Sequence, residues 1–330
     1  MSTPRLPGAL VISLDFELHW GMRDHLRPTD PSFAELSSSR AIVGQLCELF
    51  AERGIHATWA TVGFLFALKK QELRKYLPAV RPRYQDPALN PYEEIVGDDE
   101  SSDPEHLAGS LVRLVASTPG QEVASHTFSH FYCLEPGQDE DAFRADLAAA
   151  QAIAGAQGLK LTSLVLPRNQ WNPHYNGAIL ENGFNCYRGP QLSWGYRSRS
   201  GNEQGLLPRM ARLADAYAGI SPPPTTAWDQ IRRDDGLCNI PASSFLRPYD
   251  PHRKALEPLR RARLKSGLQE AGRRGRIFHL WWHPHNFSRH PRECFDLLNF
   301  VFDEFATLTT SDGMLAISMR DVTTILQDAQ

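Results

Sequence analysis

Two histidines four residues apart are the side chains in this sequence best suited to hold a metal ion. His126 and His130 follow the short strand-like run 122–125. On one helical turn, positions i and i+4 face the same way with Cβ atoms about 5–6 Å apart, so both imidazoles are predicted to bind one ion. A third ligand is available from Asp15 or Glu17, which lie on the same side of an extended backbone. Two histidines and one carboxylate leave coordination positions open, as a catalytic metal site requires.

Other polar residues follow later apolar runs. Arg168 comes just after the run 162–166, and His283 just after the run 276–281. Taken singly, Arg168 could be a surface ion-pair residue and His283 a packed imidazole. The carboxyl ends of parallel strands meet at one rim, however, and active sites of α/β barrels lie there. Convergence at such a rim is therefore predicted for Asp15, His126, Arg168 and His283.

The apolar pattern predicts an α/β fold in which strands alternate with amphipathic helices. About seven or eight parallel strands are expected, in a sheet closed or nearly closed into a barrel. The predicted strands are 9–15, 55–61, 122–125, 162–166, 184–187, 238–241, 276–281 and 314–317. Residues 1–330 are expected to form one domain, with a surface insertion near 78–104 that is rich in Pro, Asp and Glu.

Net charge, cysteine pattern and apolar content limit the classes of function that this sequence could have. A net charge of -3 and a pI near 6.5 argue against broad attraction to nucleic acid or acidic membranes, so a small or uncharged partner is expected. The five cysteines are scattered, odd in number and never in a Cys-x-x-Cys pair, which predicts reduced thiols. The sequence contains no signal-peptide pattern and no run of about eighteen apolar residues. We therefore expect a cytoplasmic protein without a transmembrane segment, and nothing in the sequence indicates its oligomeric state.

Four motifs together resemble the polysaccharide-deacetylase superfamily, carbohydrate esterase family four, which carries the NodB-homology domain. They are Asp15-Phe16-Glu17, His126-Thr127-Phe128-Ser129-His130, Arg168, and Leu280-Trp281-Trp282-His283. The resemblance spans residues 9–322. The first motif departs from the family's usual Asp-Asp and is similar to that of a bacterial subgroup associated with cell-surface polysaccharide synthesis. The family's Asp-x-x-Asp-Trp segment has no clear counterpart here.

The resemblance implies a distorted (β/α) barrel and a single divalent metal ion. Glu17, His126 and His130 would hold the ion, which is expected to be Zn²⁺, with Fe²⁺, Co²⁺ or Ni²⁺ as alternatives. Asp15 would be the general base and His283 the general acid, although the two acids Asp15 and Glu17 could exchange roles. Arg168 would lie close to Asp15 and keep it ionised.

The function implied is removal of an N-acyl group, acetyl or formyl, from an amino sugar that serves as a precursor of a cell-surface polysaccharide. Aromatic and amide side chains near the motifs could bind the sugar, although the tryptophans could equally fill the barrel interior. The candidates are Trp20, Asn169, Trp171 and Trp282. The basic segment 253–276 could be a solvated helix face, or it could meet an anionic bilayer surface or a phosphate on a nucleotide-sugar or carrier lipid. Arg247 could serve the same purpose.

Three alternatives stay open at this stage. A hydrolase of cyclic amides, similar to allantoinase-like members of the same superfamily, would use the same residues. An iron oxygenase with two histidines and one carboxylate would bind a similar ion, but the βα alternation speaks against it. A sugar-binding protein that has lost catalysis would keep ligand affinity without turnover.

Overall fold

In the part of the chain that the structure describes, nine parallel strands form one continuous sheet. The computed structural model describes residues 6–26, 30, 33–191, 224–231 and 235–329. The strands are β1 Ala9–Phe16, β2 Ala57–Thr61, β3 Gln121–Ser125, β4 Ser163–Val165, β5 Cys186–Gly189, β6 Cys238–Pro241, β7 Ser244–Phe245, β8 Ile277–Trp282 and β9 Leu315–Ile317. All eight strands predicted from the sequence are confirmed, and the two-residue β7 is an addition.

Helices follow most of the strands and cover the outside of the sheet. They are α1 Phe33–Arg53, α2 Lys70–Arg74, α3 Gly109–Ser117, α4 Glu140–Gly155, α5 Asn176–Glu181, α6 Glu257–Arg274, α7 Pro291–Asp312 and α8 Met319–Asp328. The long helices α6 and α7 both end on a glycine, Gly275 and Gly313, with φ values of 58° and 66°. Only glycine adopts this left-handed conformation without steric cost, so these two residues fix where the chain turns back toward the sheet.

The strand order is β6-β5-β4-β3-β2-β1-β8-β7, with β9 paired beside β1. One stretch of chain, 238–246, borders both ends of this series. Its first half pairs with β5, where Ile240 lies opposite Arg188, and its second half pairs with β8, where Ser244 lies opposite Leu280. The sheet is therefore a distorted (β/α) barrel, as the sequence predicted.

Burial explains why β1 is mainly apolar rather than alternating, with Ser13 and Asp15 as its two polar residues. All eight of its residues are buried, because β2 and β9 pair with it on one side, β8 pairs on the other, and helices cover the sheet. The core outside the sheet is rich in aromatic rings. Phe50 of α1 lies 6.1 Å from Trp59, 6.3 Å from Trp282 and 5.8 Å from Phe302 between ring centroids. These contacts anchor α1 and α7 against the strands that carry the site.

The predicted insertion near 78–104 forms two single-turn 3-10 helices, Pro87–Leu89 and Pro91–Glu93, and packs closely on the rest of the molecule. The Arg83 N–H donates to the Gly137 carbonyl at 2.7 Å, and the Tyr132 N–H donates to the Tyr84 hydroxyl at 2.8 Å. The segment therefore lies against the loop after β3. The assignment of residues 1–330 to one domain stays a prediction.

All five cysteines are buried, and none of them forms a disulfide bond. Among the helices that the structure describes, none combines the length and the apolar character needed to cross a bilayer.

Candidate functional site

Glu17, His126 and His130 meet at the carboxyl end of the barrel. Glu17 directly follows β1, and His126 directly follows β3. The Nε2 atoms of His126 and His130 lie 3.2 and 3.1 Å from the same carboxylate oxygen, Glu17 Oε2. All three side chains are buried. The sequence left open which acid accompanies the histidines, and in the structure it is Glu17.

The two histidines do not lie on a helical turn, so that part of the sequence prediction is wrong. Residues 126–130 form an irregular loop in which Thr127 and His130 have positive φ angles of 63° and 59°. The buried carboxylate of Asp146, in α4, holds this loop by accepting from the N–H groups of Phe128 and Ser129 at 2.6 and 3.1 Å and from the Ser129 hydroxyl. The rings still come together, with centroids 5.1 Å apart.

The protonation of the site suits metal binding. His126 Nδ1 lies 2.8 Å from the Val165 carbonyl oxygen and donates to it, so in the neutral ring the lone pair is on Nε2, the nitrogen that faces Glu17. Burial lowers the pKa of His130 to about 4 despite the opposing effect of Glu17, so its ring is neutral near pH 7. Burial alone would raise the pKa of Glu17, but His283, His126 and His130 hold it well below its usual value. An ionised carboxylate and neutral imidazoles are the forms that bind metal ions.

The spacing of the three ligand atoms fits one ion. Tetrahedral zinc with bonds of about 2.0–2.1 Å places two ligand atoms about 3.3–3.5 Å apart. The separations of 3.1 and 3.2 Å from Glu17 Oε2 are within a few tenths of an ångström of that value. In addition, His130 Nδ1 is buried and has no hydrogen-bond partner among the described residues. Its ring is thus oriented through Nε2 alone, the atom directed at Glu17.

The guanidinium bound to Asp15 is that of Arg188, not that of Arg168. Arg188 Nη1 and Nη2 donate to the two Asp15 oxygens at 2.6 and 2.8 Å. Arg168 instead pairs with Asp24 and lies over the Tyr132 ring, 4.4 Å from its centroid. The prediction that Arg168 orients Asp15 is therefore wrong. The reason is geometric, since the turn after β4 carries Arg168 toward Asp24 while Arg188 lies inside the barrel on β5.

Arg188 is held in place on all sides. Besides Asp15, it donates to Ser13 Oγ at 3.1 Å and to Asn169 Oδ1 at 3.1 Å, and its guanidinium lies 4.2 Å from the Trp281 ring centroid. Burial alone would raise the pKa of Asp15, but Arg188 and then His126 hold it below its usual value. An arginine inside the strand Cys186–Gly189 was a signal in the sequence, because arginine is almost never fully buried without a partner.

His283 closes the site on its open side. Its Nε2 lies 3.4 Å from Glu17 Oε1 and 3.7 Å from Asp15 Oδ2, and its side chain is 22% exposed. Its Nδ1 lies 3.3 Å from Asn286 Oδ1, so an amide takes the place of the acidic partner that the sequence lacked. The neighbouring His285 ring lies 5.0 Å away, and burial together with His283 lowers the pKa of His285 to about 4. His285 is therefore neutral near pH 7.

Trp20 and Trp282 are core residues, and their prediction as substrate-binding residues is wrong. Both side chains are 0% exposed. Trp20 donates its indole N–H to the His106 carbonyl at 3.0 Å, and Trp282 stacks on Phe287 with ring centroids 5.8 Å apart. Neither presents a ring face to the site.

Trp171 and Asn169 lie nearer the surface of the rim. Trp171 is partly buried and stacks on Tyr187 with centroids 5.6 Å apart. The carboxamide oxygen of Asn169 accepts from Arg188, so this residue supports the site from within. Trp281, over Arg188, is a partly exposed aromatic ring that borders the same centre.

Backbone strain is concentrated at this rim. In the described chain, every non-glycine residue with positive φ lies in a loop after β1, β3 or β4. They are Leu18, Thr127, His130, Arg168 and Asn169. Each such conformation costs of order 1–3 kcal/mol and persists only where the surrounding contacts enforce it. Strain at the loops that carry the clustered polar residues is typical of a functional site.

A cleft of about 720 Å³ adjoins His283. His285 and Asn286 line the cleft, and Asn286 is also the hydrogen-bond partner of His283. The other described lining residues are mainly basic or aromatic. They include Arg247, Tyr249, His252, Arg253, Arg289 and His290, with Asp250 as the one acidic residue among those described. This volume lies within the usual range of about 300–1,000 Å³ for small-molecule sites.

Comparison with solved structures identifies the same architecture in polysaccharide deacetylases. A protein from Mycobacterium smegmatis described as a polysaccharide deacetylase superimposes with a TM-score of 0.56 and 15% identity, over 99% of this chain and 95% of that one. A second, from Pseudomonas aeruginosa PAO1, gives a TM-score of 0.52 and 12% identity over 96% and 89%. The allantoinase Puue gives 0.52 and 12% over 97% and 90%. No protein-family model and no curated protein matches the sequence.

At these identities the likeness concerns the fold alone. The chain has the polysaccharide-deacetylase fold that its motifs predicted, and the same fold carries an allantoinase. Function must therefore be argued from the residues of the site.

Proposed function

We propose that this protein is a metal-dependent hydrolase that removes an N-acetyl or N-formyl group from an amino sugar. The observation that carries the proposal is the shared oxygen, Glu17 Oε2, which lies within 3.2 Å of two imidazole nitrogens, beside an ionised Asp15 and a partly exposed His283. A cation held by Glu17, His126 and His130 would polarise the amide carbonyl and lower the pKa of a nearby water. Zinc suits this donor set best.

Asp15 serves as the general base. Its carboxylate is ionised and held by two hydrogen bonds from Arg188, so its orientation is fixed before substrate binds. Asp15 takes a proton from the attacking water as the new C–O bond forms at the amide carbon. Arg188 then favours the ionised form of Asp15, so that Asp15 can accept a proton again in the next turnover. Because the pair is buried, bulk water does not compete for these hydrogen bonds.

His283 serves as the general acid. It delivers a proton to the amide nitrogen as the C–N bond breaks, so that the sugar leaves as an amine and the acyl group as a carboxylic acid. The amide oxygen of Asn286 lies 3.3 Å from His283 Nδ1 and accepts a hydrogen bond from it. This contact directs His283 Nε2 toward the carboxylates of Asp15 and Glu17. His285 is the poorer candidate, because its lowered pKa of about 4 leaves no protonated ring near pH 7.

The proposal is tested by incubating the zinc-loaded chain with N-acetyl and N-formyl amino sugars, free and nucleotide-linked, and detecting released acetate or formate by mass spectrometry. Turnover should disappear after chelation and return with added Zn²⁺. Allantoin and hydantoins are assayed in parallel. Turnover of the cyclic amides alone would assign the second candidate, a cyclic-amide hydrolase. Tight sugar binding without turnover under Zn²⁺, Fe²⁺, Co²⁺ or Ni²⁺ would instead indicate a binding protein.

Replacement of His283 by alanine is expected to slow deacylation by about 10²–10⁴-fold, the usual contribution of a positioned acid, while bound metal stays unchanged. An activated aryl ester of the acyl group needs no proton on its leaving oxygen, so its hydrolysis should fall much less. The matched control is His285→Ala, which should retain most amide turnover. Loss of activity in His285→Ala with survival in His283→Ala would reassign the acid.

The basic cleft supports a substrate that carries a negative group, such as a nucleotide-linked amino sugar made in the cytoplasm before polymer assembly. Arg247 lines the cleft two residues after β7. Charge-assisted hydrogen bonds contribute about 1.5–3 kcal/mol, so Arg247→Ala should raise KM for a phosphate-bearing substrate by about 10–100-fold with little change in kcat. KM for the free sugar should not change. Arg261→Ala, on α6 and over Phe300, is the control with no expected effect.

A further inference from the structure

A second cluster of metal-binding side chains lies outside the site described above. It consists of His19, Glu94 and His106, whose ligand atoms all lie within 4.8 Å of one another. His19 belongs to the 3-10 turn Leu18–Gly21 after β1, whereas Glu94 and His106 come from the long connection between α2 and α3. The three residues thus join two separate parts of the chain.

Both imidazoles of this cluster are buried, and each has one ring nitrogen without a hydrogen-bond partner among the described residues. His19 and His106 are 2% and 6% exposed, and their ring centroids lie 4.6 Å apart. His19 Nδ1 and His106 Nε2 are buried and have no hydrogen-bond partner among the described residues. A buried nitrogen without a partner costs about 1–3 kcal/mol, so two of them on adjacent rings call for a ligand there.

The surroundings of His106 are those of a metal ligand. Its Nδ1 lies 2.7 Å from Asp103 Oδ1, and the other oxygen of Asp103 accepts from the Gly97 N–H at 2.6 Å. A carboxylate on one ring nitrogen fixes the tautomer and leaves the other nitrogen unprotonated, which is the usual arrangement of histidine bound to zinc. Glu94 also borders a cavity of about 140 Å³ together with Trp20, Tyr92 and Val96.

We propose that His19, Glu94 and His106 form a second divalent-metal site of the zinc class, with Asp103 orienting His106. Two imidazoles and one carboxylate are a preferred donor set for Zn²⁺. An ion there ties the segment 94–106 to the turn after β1. Because His19 is two residues from Glu17, the second site also restrains the loop that carries the first. This second site does not depend on the proposed deacylation, and the number of metal ions bound per chain tests it directly.

The test begins with the stoichiometry of the full chain. The protein is stripped with a chelator, loaded with Zn²⁺, desalted and examined by elemental analysis. We expect two ions per chain for the native sequence and one for His106→Gln or Glu94→Ala. His56→Gln is the matched control, since His56 also pairs with an aspartate, Asp321 at 3.3 Å, but belongs to neither cluster. It should keep two ions. A single ion in the native chain that His106→Gln and Glu94→Ala leave unchanged would overturn the proposal.

The effect of Zn²⁺ on Tm provides a second test of this site, one that requires no activity assay and shows that the variant is folded. In the His130→Ala background only the second site remains, and Zn²⁺ about a hundredfold above its Kd should raise Tm by about 3–5 °C. The shift should be absent in His130→Ala/Glu94→Ala, whose half-buried Glu94 can be truncated with little effect on packing. An equal shift in both variants would refute the assignment.

Discussion

Replacement of His126 or His130 by alanine is expected to remove the metal ion from the first site and to reduce deacylation by roughly three orders of magnitude or more. Each histidine supplies one of the two ring nitrogens that lie within 3.2 Å of the third ligand atom, Glu17 Oε2. The loss corresponds to the several kcal/mol of transition-state stabilisation that a bound cation provides. Elemental analysis and acyl release measured on the same samples would check the prediction.

The two variants should differ in stability when both are free of metal. Loss of His126 leaves the buried Val165 carbonyl without its 2.8 Å donor, which costs about 1–3 kcal/mol in the free energy of unfolding. His130 Nδ1 has no partner among the described residues, so its removal should cost less. The exposed His174 provides a control variant that should keep metal, activity and stability. Full metal content in either His126→Ala or His130→Ala would contradict the assignment.

Replacement of Arg188 by methionine is expected to lower kcat by about two to four orders of magnitude, the scale of a lost general base. Without its partner, the buried Asp15 carboxylate would favour the protonated form and could not accept a proton from water. Breaking a buried ion pair from one side also costs about 3–5 kcal/mol of stability. Steady-state kinetics and denaturant unfolding of the variant would measure both effects.

Arg168→Met is the matched control, because Arg168 pairs with Asp24 and not with Asp15. The kcat of Arg168→Met should fall much less than that of Arg188→Met. If Arg188→Met is too unstable to assay, Asp15→Leu/Arg188→Met should recover stability without recovering activity, since an apolar pair of similar volume removes the unpaired charge. A larger loss of kcat in Arg168→Met than in Arg188→Met would restore the assignment made from the sequence.

Sequence alone determined the strands and the rim of the barrel. Buried parallel strands are short apolar runs that end in polar loops, and that pattern is local enough to predict from composition and spacing. Because such loops share one face of a barrel, Glu17, His126 and His283 could be brought together without coordinates. The family resemblance added the fold and the proposed chemistry from four short motifs.

The orientation of side chains across the barrel was decided by tertiary structure. Arg188 reaches Asp15 because β5 and β1 enclose the same interior, a relation between residues far apart in sequence that no local pattern contains. Burial of Trp20 and Trp282 depends likewise on distant parts of the chain, since Trp20 packs on Phe64 and His106 and Trp282 packs on Phe50.

The conformation of the loop that carries His126 and His130 was also a tertiary property. Spacing of i and i+4 is compatible with a helix, but the Asp146 carboxylate in α4 offers the loop hydrogen bonds that a helix would make internally. Those bonds hold the positive φ angles of Thr127 and His130. Residue types and spacing therefore specified which groups could do the chemistry, whereas contacts between distant strands and helices set where each group points.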